Sequence, residues 1–557
     1  PIEKVIADPV EALRGREPSP HPAIPLPRNL YGADRRNSPG LNLTNPDTLA
    51  ALAKAMKQRS EWQAAPLIAG KAWRGEERAL FDPADRTRRL GSVIEASEEA
   101  LETALAVAHA AFGEWDATPA QGRARVLERA AELFEQRRAE LTALIVREGG
   151  RTIPDALAEI REATDYCRYY AAETRRLFSA PNSLPGPSGE DNTLGLHGRG
   201  VFAALSPWNF PLAIFTGQIT AALAAGNSVI AKPAEQTPLV AMRAVELLHE
   251  AGIPAEVLNF VPGAGDSIGA KLVADSRISG VVFTGSTETA LAINRALAAR
   301  EGPIAPLIAE TGGMNAIVAD SSALAEQLVA DVIQSAFNSA GQRCSAARLL
   351  FVQEDIADQV IELLAGAIDE LKLGDPSLLS TDVGPLIDEK ARKALQKYCE
   401  SQRAPLLATA PLSSGSERGV FFVPRMYEIS IEHIPQREVF GPILHVIRWK
   451  ANELDSVIAA INNAGYGLTL GIHSRIEETI DEIRARVHAG NVYVNRNIIG
   501  AVVGVQPFGG EGLSGTGPKA GGPNYLVRFA LEKSVSVNTA AIGGNASLLA
   551  LDDDKSE

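Results

Sequence analysis

The stretch VFAALSPWNFPLAIFTGQITAALAAGNSVIAK (201–232) opens the part of the sequence that decides the fold. Short apolar runs here are each followed by a helix-like segment, and the pattern repeats downstream. The predicted strands are VFAAL (201–205), SVIAK (228–232), VLNFV (257–261) and GVVF (280–283), with helices starting at Leu212, Pro238, Asp266 and Thr287. Repeated β-α-β units predict a parallel sheet with helices on both faces. Such sheets bind nucleotides at the carboxyl ends of their strands.

The flanking sequence predicts further elements. A second α/β domain is predicted across residues 315–496. Its predicted strands, with helices between them, are RLLFV (348–352), ILHVIRW (443–449) and NVYVN (491–495). Polar and apolar residues alternate with period two in two further stretches, EDNTLGLHGR (190–199) and KSVSVNTA (533–540). This alternation favours their pairing as an outlying sheet.

The N-terminal part differs in composition. Residues 1–58 are rich in proline and polar groups, which predicts an extended linker. Helices then dominate: an apolar stripe near 101–112 predicts one outer helix, and a second is predicted from Thr118-Pro119 to Gly149-Gly150.

Composition bounds the function. With 557 residues, 45% of them hydrophobic, the chain can form two or more packed domains. The formal charge of −14 without a long basic run argues against nucleic acid or anionic lipid as a partner. The most apolar stretch, 201–232, is interrupted by polar residues and prolines, so no membrane span is predicted. The chain begins at Pro1 without a basic and apolar leader, so we expect no signal peptide and a trimmed N-terminus.

Cysteine usage directs attention to one residue. Cys167, Cys344 and Cys399 are far apart and form no CxxC pattern, and the eight histidines show no HExxH-like pairing. We therefore predict no metal site and a reducing, cytoplasmic setting. Cys344 lies among small and polar residues in FNSAGQRCS (337–345) and is a candidate nucleophile, although a cysteine is more often inert packing. Cys167 and Cys399, in helical patterns, keep that packing interpretation.

A set of short segments strengthens the case for Cys344. The segments are SPWNFP (206–211), KPAEQTP (232–238), FTGST (283–287), ETGG (310–313), GQRCS (341–345) and EVFGP (438–442). In this order and spacing, from about Ala69 to about Ala541, the sequence resembles the aldehyde dehydrogenase superfamily. Longer runs such as QSAFNSAGQRCSA (334–346) resemble the glutamate γ-semialdehyde dehydrogenase half of bacterial proline utilisation A.

The resemblance implies an α/β protein of the aldehyde dehydrogenase fold, with a Rossmann-like NAD-binding domain, an α/β catalytic domain and a small β oligomerisation flap. The implied boundaries are an N-terminal arm at 1–58, the NAD-binding domain at 59–180 and 200–309, the flap at 181–199 and 525–545, the catalytic domain at 310–500, a substrate anchor loop and return to the NAD domain at 501–524, and an acidic tail at 546–557.

The resemblance also implies a reaction: NAD-dependent oxidation of L-glutamate γ-semialdehyde to L-glutamate, the second step of proline catabolism. Cys344 would form a thiohemiacetal and then a thioester, Asn209 would hydrogen-bond the oxyanion, and Glu310 would activate the hydrolytic water. A simple turn role between two prolines is the alternative for Asn209. For the whole chain, a dehydrogenase of another ω-semialdehyde, such as succinic semialdehyde, and a catalytically inert scaffold remain alternatives.

Cofactor contacts follow from the same resemblance. The glycine pattern GAGDSIG (263–269) alone is explained equally well by a strand-to-helix turn. The resemblance implies that Lys232 and Glu235 bind the adenosine ribose, and that Ser286, at a helix start, meets the pyrophosphate. The alternative for the charged residues Lys232, Glu235 and Glu438 is that they are ordinary solvated surface charges. The predicted NAD-binding set is Ser206, Pro207, Trp208, Lys232, Glu235, Gly265, Phe283, Gly285, Ser286, Thr311, Gly312, Glu438 and Phe440.

A second set is implied for the substrate's amino-acid head group. Its carboxylate needs several hydrogen-bond donors, of which an arginine is the strongest. The alternative for Arg343 and Glu162 is an ordinary ion pair or a solvated helix face. The implied partners are a second copy of the chain in a homodimer and a proline dehydrogenase module in the same native polypeptide. The predicted head-group residues are Arg343, Ser345, Gly500 and Ala501 for the carboxylate, Phe210 and Phe508 for the aliphatic middle, and Glu162 for the ammonium.

Overall fold

The computed structural model describes residues 2–14, 19–57, 61–412, 415–539 and 541. The predicted acidic tail at 546–557 lies outside these residues, as do the last residue of KSVSVNTA and residues 542–545 of the predicted flap. Two seven-stranded sheets, each covered by helices, form the body of the molecule, and smaller sheets lie beside them.

The first sheet confirms the β-α-β prediction. The strand Val201–Leu205 lies in the middle of five parallel strands. Every residue of this strand and of its neighbour Ser228–Lys232 is buried. Parallel strands buried on both faces have continuous apolar sequences, which is why VFAAL and SVIAK could be recognised. In sheet order the strands are Leu307–Glu310, Ile278–Thr284, Val201–Leu205, Ser228–Lys232, Leu258–Phe260, Leu67–Ile68 and Lys71–Ala72.

The second sheet confirms the second predicted α/β block. Its strands are parallel except for the edge strand Leu406–Thr409, which runs antiparallel to its neighbour. In sheet order the strands are Leu406–Thr409, Arg425–Glu428, Ile443–Trp449, Ala347–Gln353, Asn315–Ala319, Thr469–His473 and Asn491–Val494.

Helices cover both sheets. Buried residues of these helices and strands form the large apolar clusters of the core. The α-helices are Ile2–Val5, Pro9–Leu13, Pro46–Met56, Glu98–Asp116, Ala120–Gln136, Arg138–Gly149, Ile153–Phe178, Ala213–Ala224, Pro238–Ala251, Ala270–Ala274, Thr287–Ala298, Ala325–Phe337, Glu354–Asp369, Glu389–Ser401, Leu454–Asn463 and Glu477–Arg486. Short 3₁₀ turns occur at Pro27–Asn29, Asn338–Gly341, Ser416–Arg418, Ile431–His433 and Leu526–Phe529, and a π turn at Gly265–Gly269.

The outlying sheet forms as expected. Strand Ala530–Asn538 pairs antiparallel with Glu190–Gly198, which also pairs with Asn182–Leu184. The strand Ala530–Asn538 is exposed beyond its first residue, except at the half-buried Val537. A further short pairing joins Tyr466–Gly467 to Glu511–Gly512. None of the helices in the described part of the chain is long and apolar enough to cross a membrane.

Two local expectations were wrong, and one small sheet was not predicted. The helix predicted from Thr118-Pro119 to Gly149-Gly150 is two helices separated at Arg137, where the backbone leaves the helical conformation (φ −94°, ψ 15°). The predicted linker contains the helix Pro46–Met56, whose Leu52 is buried in the core. No strand was predicted between 61 and 94, yet a three-stranded sheet forms there. Its strands are Trp62–Ala64, Asp85–Ile94 and Glu77–Asp82.

Candidate active site

One cavity of about 250 Å³ collects residues from both sheets. Glu310 ends the edge strand of the first sheet, and Cys344 precedes strand Ala347–Gln353 of the second. Both line the cavity. The predicted nucleophile and the predicted base, 34 residues apart in the sequence (344 − 310), therefore face a common space.

A tight turn presents Cys344 to the cavity. Ser339 and Ala340 have φ of 54° and 55°, an uncommon conformation for residues with a side chain. At the following Gly341 (φ 64°), an added Cβ would lie 2.3 Å from the carbonyl oxygen of Gly441, so the two backbone segments meet as closely as glycine permits. Beyond the turn, Asn315 Nδ2 donates to the carbonyl of Cys344 at 2.6 Å, which fixes the backbone of the nucleophile.

The surroundings keep the Cys344 thiol protonated. Burial is the largest influence, and the carboxylates of Glu438 and Glu310 act in the same direction, raising the thiol pKa to about 12. The backbone N–H of Ser345 and the charge of Arg343 only partly offset this. The half-buried thiol is therefore a poor nucleophile in this resting arrangement.

Asn209 lies beside the nucleophile's turn. Its side-chain Nδ2 donates to the carbonyl of Gln342 at 3.1 Å, and the backbone carbonyl of Asn209 accepts a hydrogen bond from Arg151 Nη1. These contacts hold the Asn209 side-chain amide against Gln342, two residues before Cys344, although Asn209 is not among the residues that line the cavity.

The surroundings of Glu310 favour the neutral form of its carboxyl group over the carboxylate. Burial raises its pKa well above the ordinary value, and the Gly510 N–H and the charge of Lys519 lower it only in part. Oε2 accepts the Gly510 N–H at 3.2 Å, whereas the buried Oε1 has no hydrogen-bond partner. An added Cβ at Gly509 would lie 2.6 Å from Oε1, so the carboxyl rests against a glycine loop.

All the predicted head-group residues line this same cavity. Arg343 Nη2 pairs with Asp155 at 2.9 Å, and its guanidinium carbon lies 5.3 Å from the centre of the Phe210 ring. Arg151 lies over the same ring at 4.4 Å. The two guanidinium groups and the aromatic ring form one wall of the cavity. The other predicted residues that line it are Glu162, Ser345, Gly500, Ala501 and Phe508.

Glu162 adds a titratable group to this wall. Burial and the nearby Glu159 raise its pKa to about 7, against the lowering influence of Arg343 and Arg151 and a hydrogen bond with Tyr166. The helix Ile153–Phe178, which carries Glu162, also carries Asp155. One helix thus supplies both the partner of Arg343 and the carboxyl predicted to meet an ammonium.

The predicted cofactor residues lie at the carboxyl edge of the first sheet. Ser206, Pro207 and Trp208 follow strand Val201–Leu205, and Lys232 ends the neighbouring strand. Phe283 is in strand Ile278–Thr284, which Gly285 follows. This edge is where parallel α/β sheets bind nucleotides.

The predicted ribose pair sits on this edge. Lys232 Nζ donates to the Pro233 carbonyl at 2.9 Å, and burial lowers the lysine pKa. Glu235 Oε1 accepts the backbone N–H of Gly265 at 2.7 Å, joining the loop after Lys232 to the π turn. Nearby, Ser286 caps helix Thr287–Ala298 by accepting the Thr289 N–H at 3.2 Å, leaving a helix N-terminus at the edge.

The remaining predicted cofactor residues join the two sheets. An added Cβ at Gly312 would lie 1.7 Å from Glu438 Oε2, so only glycine allows Glu438 its position. Thr311, before it, donates from its backbone to Ser514 at 2.9 Å. Trp208 and Phe440 pack edge to face, with ring centres 5.7 Å apart. Within the described ranges, no cluster of three or more His, Cys, Asp or Glu side chains could hold a metal ion.

Comparisons with known proteins agree with this arrangement. The sequence profile of the aldehyde dehydrogenase family matches residues 72–535. The chain belongs to the aldehyde dehydrogenase family.

Several relatives are closely similar to this aldehyde dehydrogenase chain. It is 48% identical over 547 residues to the bifunctional protein PutA of Salmonella typhimurium, covering 95% of this chain but 40% of that protein. The chain thus spans less than half the length of the first curated relatives it matches. It is 38% identical over 480 residues to a 1-pyrroline-5-carboxylate dehydrogenase of Geobacillus, covering 85% of this chain and 92% of the relative.

Solved structures show the same fold. A bifunctional proline utilization A structure superposes with a TM-score of 0.86 at 53% identity, covering 94% of this chain and 50% of that one. A 1-pyrroline-5-carboxylate dehydrogenase from Thermus with bound NAD superposes with a TM-score of 0.85 at 34% identity, covering 90% and 99%. The α/β aldehyde dehydrogenase fold is therefore established for this chain.

Sequence reasoning missed the residues that hold this aldehyde dehydrogenase site together. Arg348 is 1% exposed and pairs with Glu438 at 2.9 Å. It also donates to the carbonyls of Gly341, Gly441 and Arg343 at 2.8, 3.0 and 3.1 Å. A charged residue at the start of the apolar run RLLFV was the available signal, because a buried charge requires partners.

Proposed function

We propose that this chain oxidises L-glutamate γ-semialdehyde to L-glutamate with NAD, through a covalent thioester on Cys344. The supporting observation is that one cavity of about 250 Å³ is lined by Cys344, Glu310 and every predicted head-group residue. The volume lies below the ~300–1,000 Å³ common for sites of drug-sized ligands, which suits a small metabolite. The 1-pyrroline-5-carboxylate dehydrogenases among the relatives act on the cyclic form of the same aldehyde.

The first step forms a carbon–sulfur bond. The Cys344 thiol first loses its proton to water, because its surroundings hold it neutral at rest. The resulting thiolate sulfur attacks the aldehyde carbon, and the carbonyl electron pair moves to the oxygen. The Asn209 amide and the backbone N–H of Cys344 donate to that oxyanion. Removing one donor of this kind costs about 10²–10³ in rate. Because Arg151 and Gln342 fix Asn209 at both ends, the donor needs little reorganisation when charge develops.

The second step converts the adduct into a thioester and then an acid. When bound, NAD supplies the acceptor for the hydride that leaves the substrate carbon. Glu310 then takes a proton from a water molecule, the water oxygen bonds to the acyl carbon, and the thiolate of Cys344 leaves. The raised pKa of Glu310 makes it a strong enough base for this proton transfer. Its unpartnered Oε1 is free to receive the proton.

The residues on the carboxyl edge of the first sheet fit NAD. The Lys232 ammonium and the Glu235 carboxylate can bind ribose hydroxyls, and the helix N-terminus at Ser286 can meet the pyrophosphate. Glu235 would repel a 2′-phosphate, so the proposal specifies NAD over NADP. Glu438, held by Arg348, would accept from the nicotinamide ribose.

The head-group wall supports an amino-acid substrate. Arg343 and Ser345, with the backbone of Gly500 and Ala501, offer donors to an α-carboxylate. Glu162 offers a carboxyl to an ammonium. Succinic semialdehyde has a carboxylate but no ammonium, so Glu162 would have no partner in that substrate.

We also propose the assembly. The bifunctional names of the longer relatives support a proline dehydrogenase module in the same native polypeptide. The exposed outlying sheet supports a homodimer.

The free cysteines of the described chain suit the reducing cytoplasm. The domain boundaries given above are part of the same proposal.

Steady-state kinetics with three aldehydes test the proposal. The expected order of kcat/KM is glutamate γ-semialdehyde, then succinic semialdehyde, then propanal. Ser345→Ala should raise KM for glutamate γ-semialdehyde while leaving KM for propanal nearly unchanged, because propanal has no carboxylate. A higher kcat/KM for succinic semialdehyde would assign the chain to another semialdehyde, and no NADH formation with any aldehyde would identify an inert scaffold.

A further inference from the structure

Part of the N-terminal arm, which precedes the residues matched to the family, packs against residues that line the cavity. Ser38 is buried on helix Ile153–Phe178: its N–H donates to Asp165 Oδ1 at 3.1 Å, and its carbonyl accepts from Arg161 Nε at 3.3 Å. Asp165 and Arg161 themselves line the cavity. The arm is therefore fixed against the helix that carries Glu162.

Arg35, close to this anchor, contacts the loop that closes the cavity. Its Nη2 donates to the carbonyl of Val503 at 2.6 Å. Its guanidinium lies over the ring of Tyr31, 3.8 Å from the centre, and 5.2 Å from that of Tyr169. A hydrogen bond from a charged donor is stronger than one between neutral groups, and stacking on two rings restricts the side chain further.

The loop that Arg35 holds forms one wall of the cavity. Residues 499–503 line the cavity together with Cys344. Arg35 packs closely against the loop at Gly504, which has φ +75°. A Cβ added to Gly504 would lie 2.7 Å from Arg35 Nη2 and 2.9 Å from the Tyr169 ring. On the far side, the Gly504 N–H donates to the Gly521 carbonyl at 2.9 Å. Arg35 and Gly521 thus hold the loop from opposite sides.

We infer that Arg35 is a positioning residue that sets the specificity of this enzyme for the amino-acid head group. Arg35 acts through the backbone of the loop, whose Gly500 and Ala501 N–H groups face the substrate carboxylate under the function proposed above. In the described part of the chain, Arg35 hydrogen-bonds Val503 and stacks on Tyr31 and Tyr169, apart from the Cys344 thiol, the Glu310 carboxyl and the cofactor residues. We therefore expect those groups to keep their geometry when Arg35 is replaced. The inference rests on the proposed function for the identity of the substrate, but the contact between Arg35 and the loop does not.

Arg35→Ala tests the inference by separating KM from kcat. KM for glutamate γ-semialdehyde should rise about tenfold, since one charge-assisted hydrogen bond no longer fixes the loop. Both kcat and the KM for propanal should change less than about twofold. Arg36→Ala is the matched control, because Arg36 is the exposed neighbour. Arg35→Lys keeps the charge and should recover part of the loss.

Gly504→Ala provides a second route to the same contact. The added Cβ would meet Arg35 Nη2 and the Tyr169 ring, and alanine is strained at φ +75°, so this variant should raise KM for glutamate γ-semialdehyde at least as much as Arg35→Ala does. Equal effects of Arg35→Ala on the two aldehydes, or an unchanged KM for glutamate γ-semialdehyde in Gly504→Ala, would overturn the inference.

Hydrogen exchange separates this inference from the proposed function. Arg35→Ala should speed amide exchange in residues 500–505 whatever the substrate is, while Arg36→Ala leaves it unchanged. Unchanged exchange in Arg35→Ala would refute the positioning role. A wild-type enzyme that prefers another aldehyde, with faster loop exchange in Arg35→Ala, would refute the proposed substrate and leave the loop contact standing.

Discussion

The Cys344 thiol lies in surroundings that oppose its ionisation. Its pKa of about 12 means that the thiolate fraction, and hence the rate of alkylation by iodoacetamide, should rise about tenfold per pH unit from about pH 8 to about pH 10 without a plateau. Glu438→Gln removes a negative charge that raises this pKa, so the rate near pH 8 should increase.

A Cys167→Ser/Cys399→Ser background isolates the signal in the alkylation measurement. A plateau below about pH 8 in the enzyme free of cofactor would show that the thiol is already ionised and would contradict this description of the site.

Arg348 links the Cys344 turn to Glu438 through a fully buried guanidinium. Arg348→Met leaves Glu438 unpaired and buried carbonyls without a donor, so the free energy of unfolding should fall by about 3–5 kcal/mol in urea titrations. Arg403→Met, at an exposed arginine, is the matched control. A loss below about 1 kcal/mol for Arg348→Met would contradict the linking role.

At the residue scale, the sequence located the proposed reacting groups better than the residues that support them. Cys344, Glu310 and Asn209 lie in short segments whose order could be recognised, and the structure brings these segments together. The contacts of Arg348, and of Asn315 with Cys344, join segments far apart in the chain. Nothing local in the sequence specifies such pairings, because they exist only once the two sheets are packed.

At the scale of elements, a buried carboxylate caps a helix of a neighbouring layer. Glu148, at the end of helix Arg138–Gly149, accepts the N–H groups of Leu239 and Val240 at 2.7 and 2.8 Å. These are the first turn of helix Pro238–Ala251, whose own N-cap residue makes no side-chain cap bond. The carboxylate therefore satisfies two donors that the helix cannot satisfy itself.

Glu148→Ala should lower the free energy of unfolding by about 2–4 kcal/mol, since two buried N–H groups lose their acceptor. Glu148→Gln keeps one acceptor and should cost less. Thermal or urea unfolding measures both, with the exposed Glu362→Ala as control. Equal stability of Glu148→Ala and Glu362→Ala would show that the cap is dispensable.

Strand prediction succeeded or failed according to burial. VFAAL and SVIAK are buried along their whole length, so each is a continuous apolar run. Strand Asp85–Ile94 begins with the half-buried Asp85 and the exposed residues RTRR (86–89), and it is buried only in its second half. Its sequence therefore lacks both a continuous run and an alternation, and the hairpin was missed.

At the scale of the whole molecule, the outlying sheet exposes apolar side chains. Leu531 and Val535 are 40% and 42% exposed on strand Ala530–Asn538. Side chains alternate between the two faces of a strand, so Leu531 and Val535 lie on the same face. The double variant Leu531→Glu/Val535→Glu places two charges on that face and should shift the proposed dimer toward monomer in sedimentation velocity. Ser534→Glu/Ser536→Glu, on the opposite face, is the matched control. A dimer that survives the first pair would place the interface elsewhere.

The most direct test of the central claim is the mass of the Glu310→Gln variant after a single turnover. The variant, mixed with NAD and glutamate γ-semialdehyde and quenched in acid, should form one NADH per active site and then stop, because the thioester forms but the base for its hydrolysis is absent. Mass spectrometry should find one γ-glutamyl group on the peptide that contains Cys344. Continued turnover, no adduct, or an adduct on another residue would contradict the assignment of Cys344 as nucleophile and Glu310 as base.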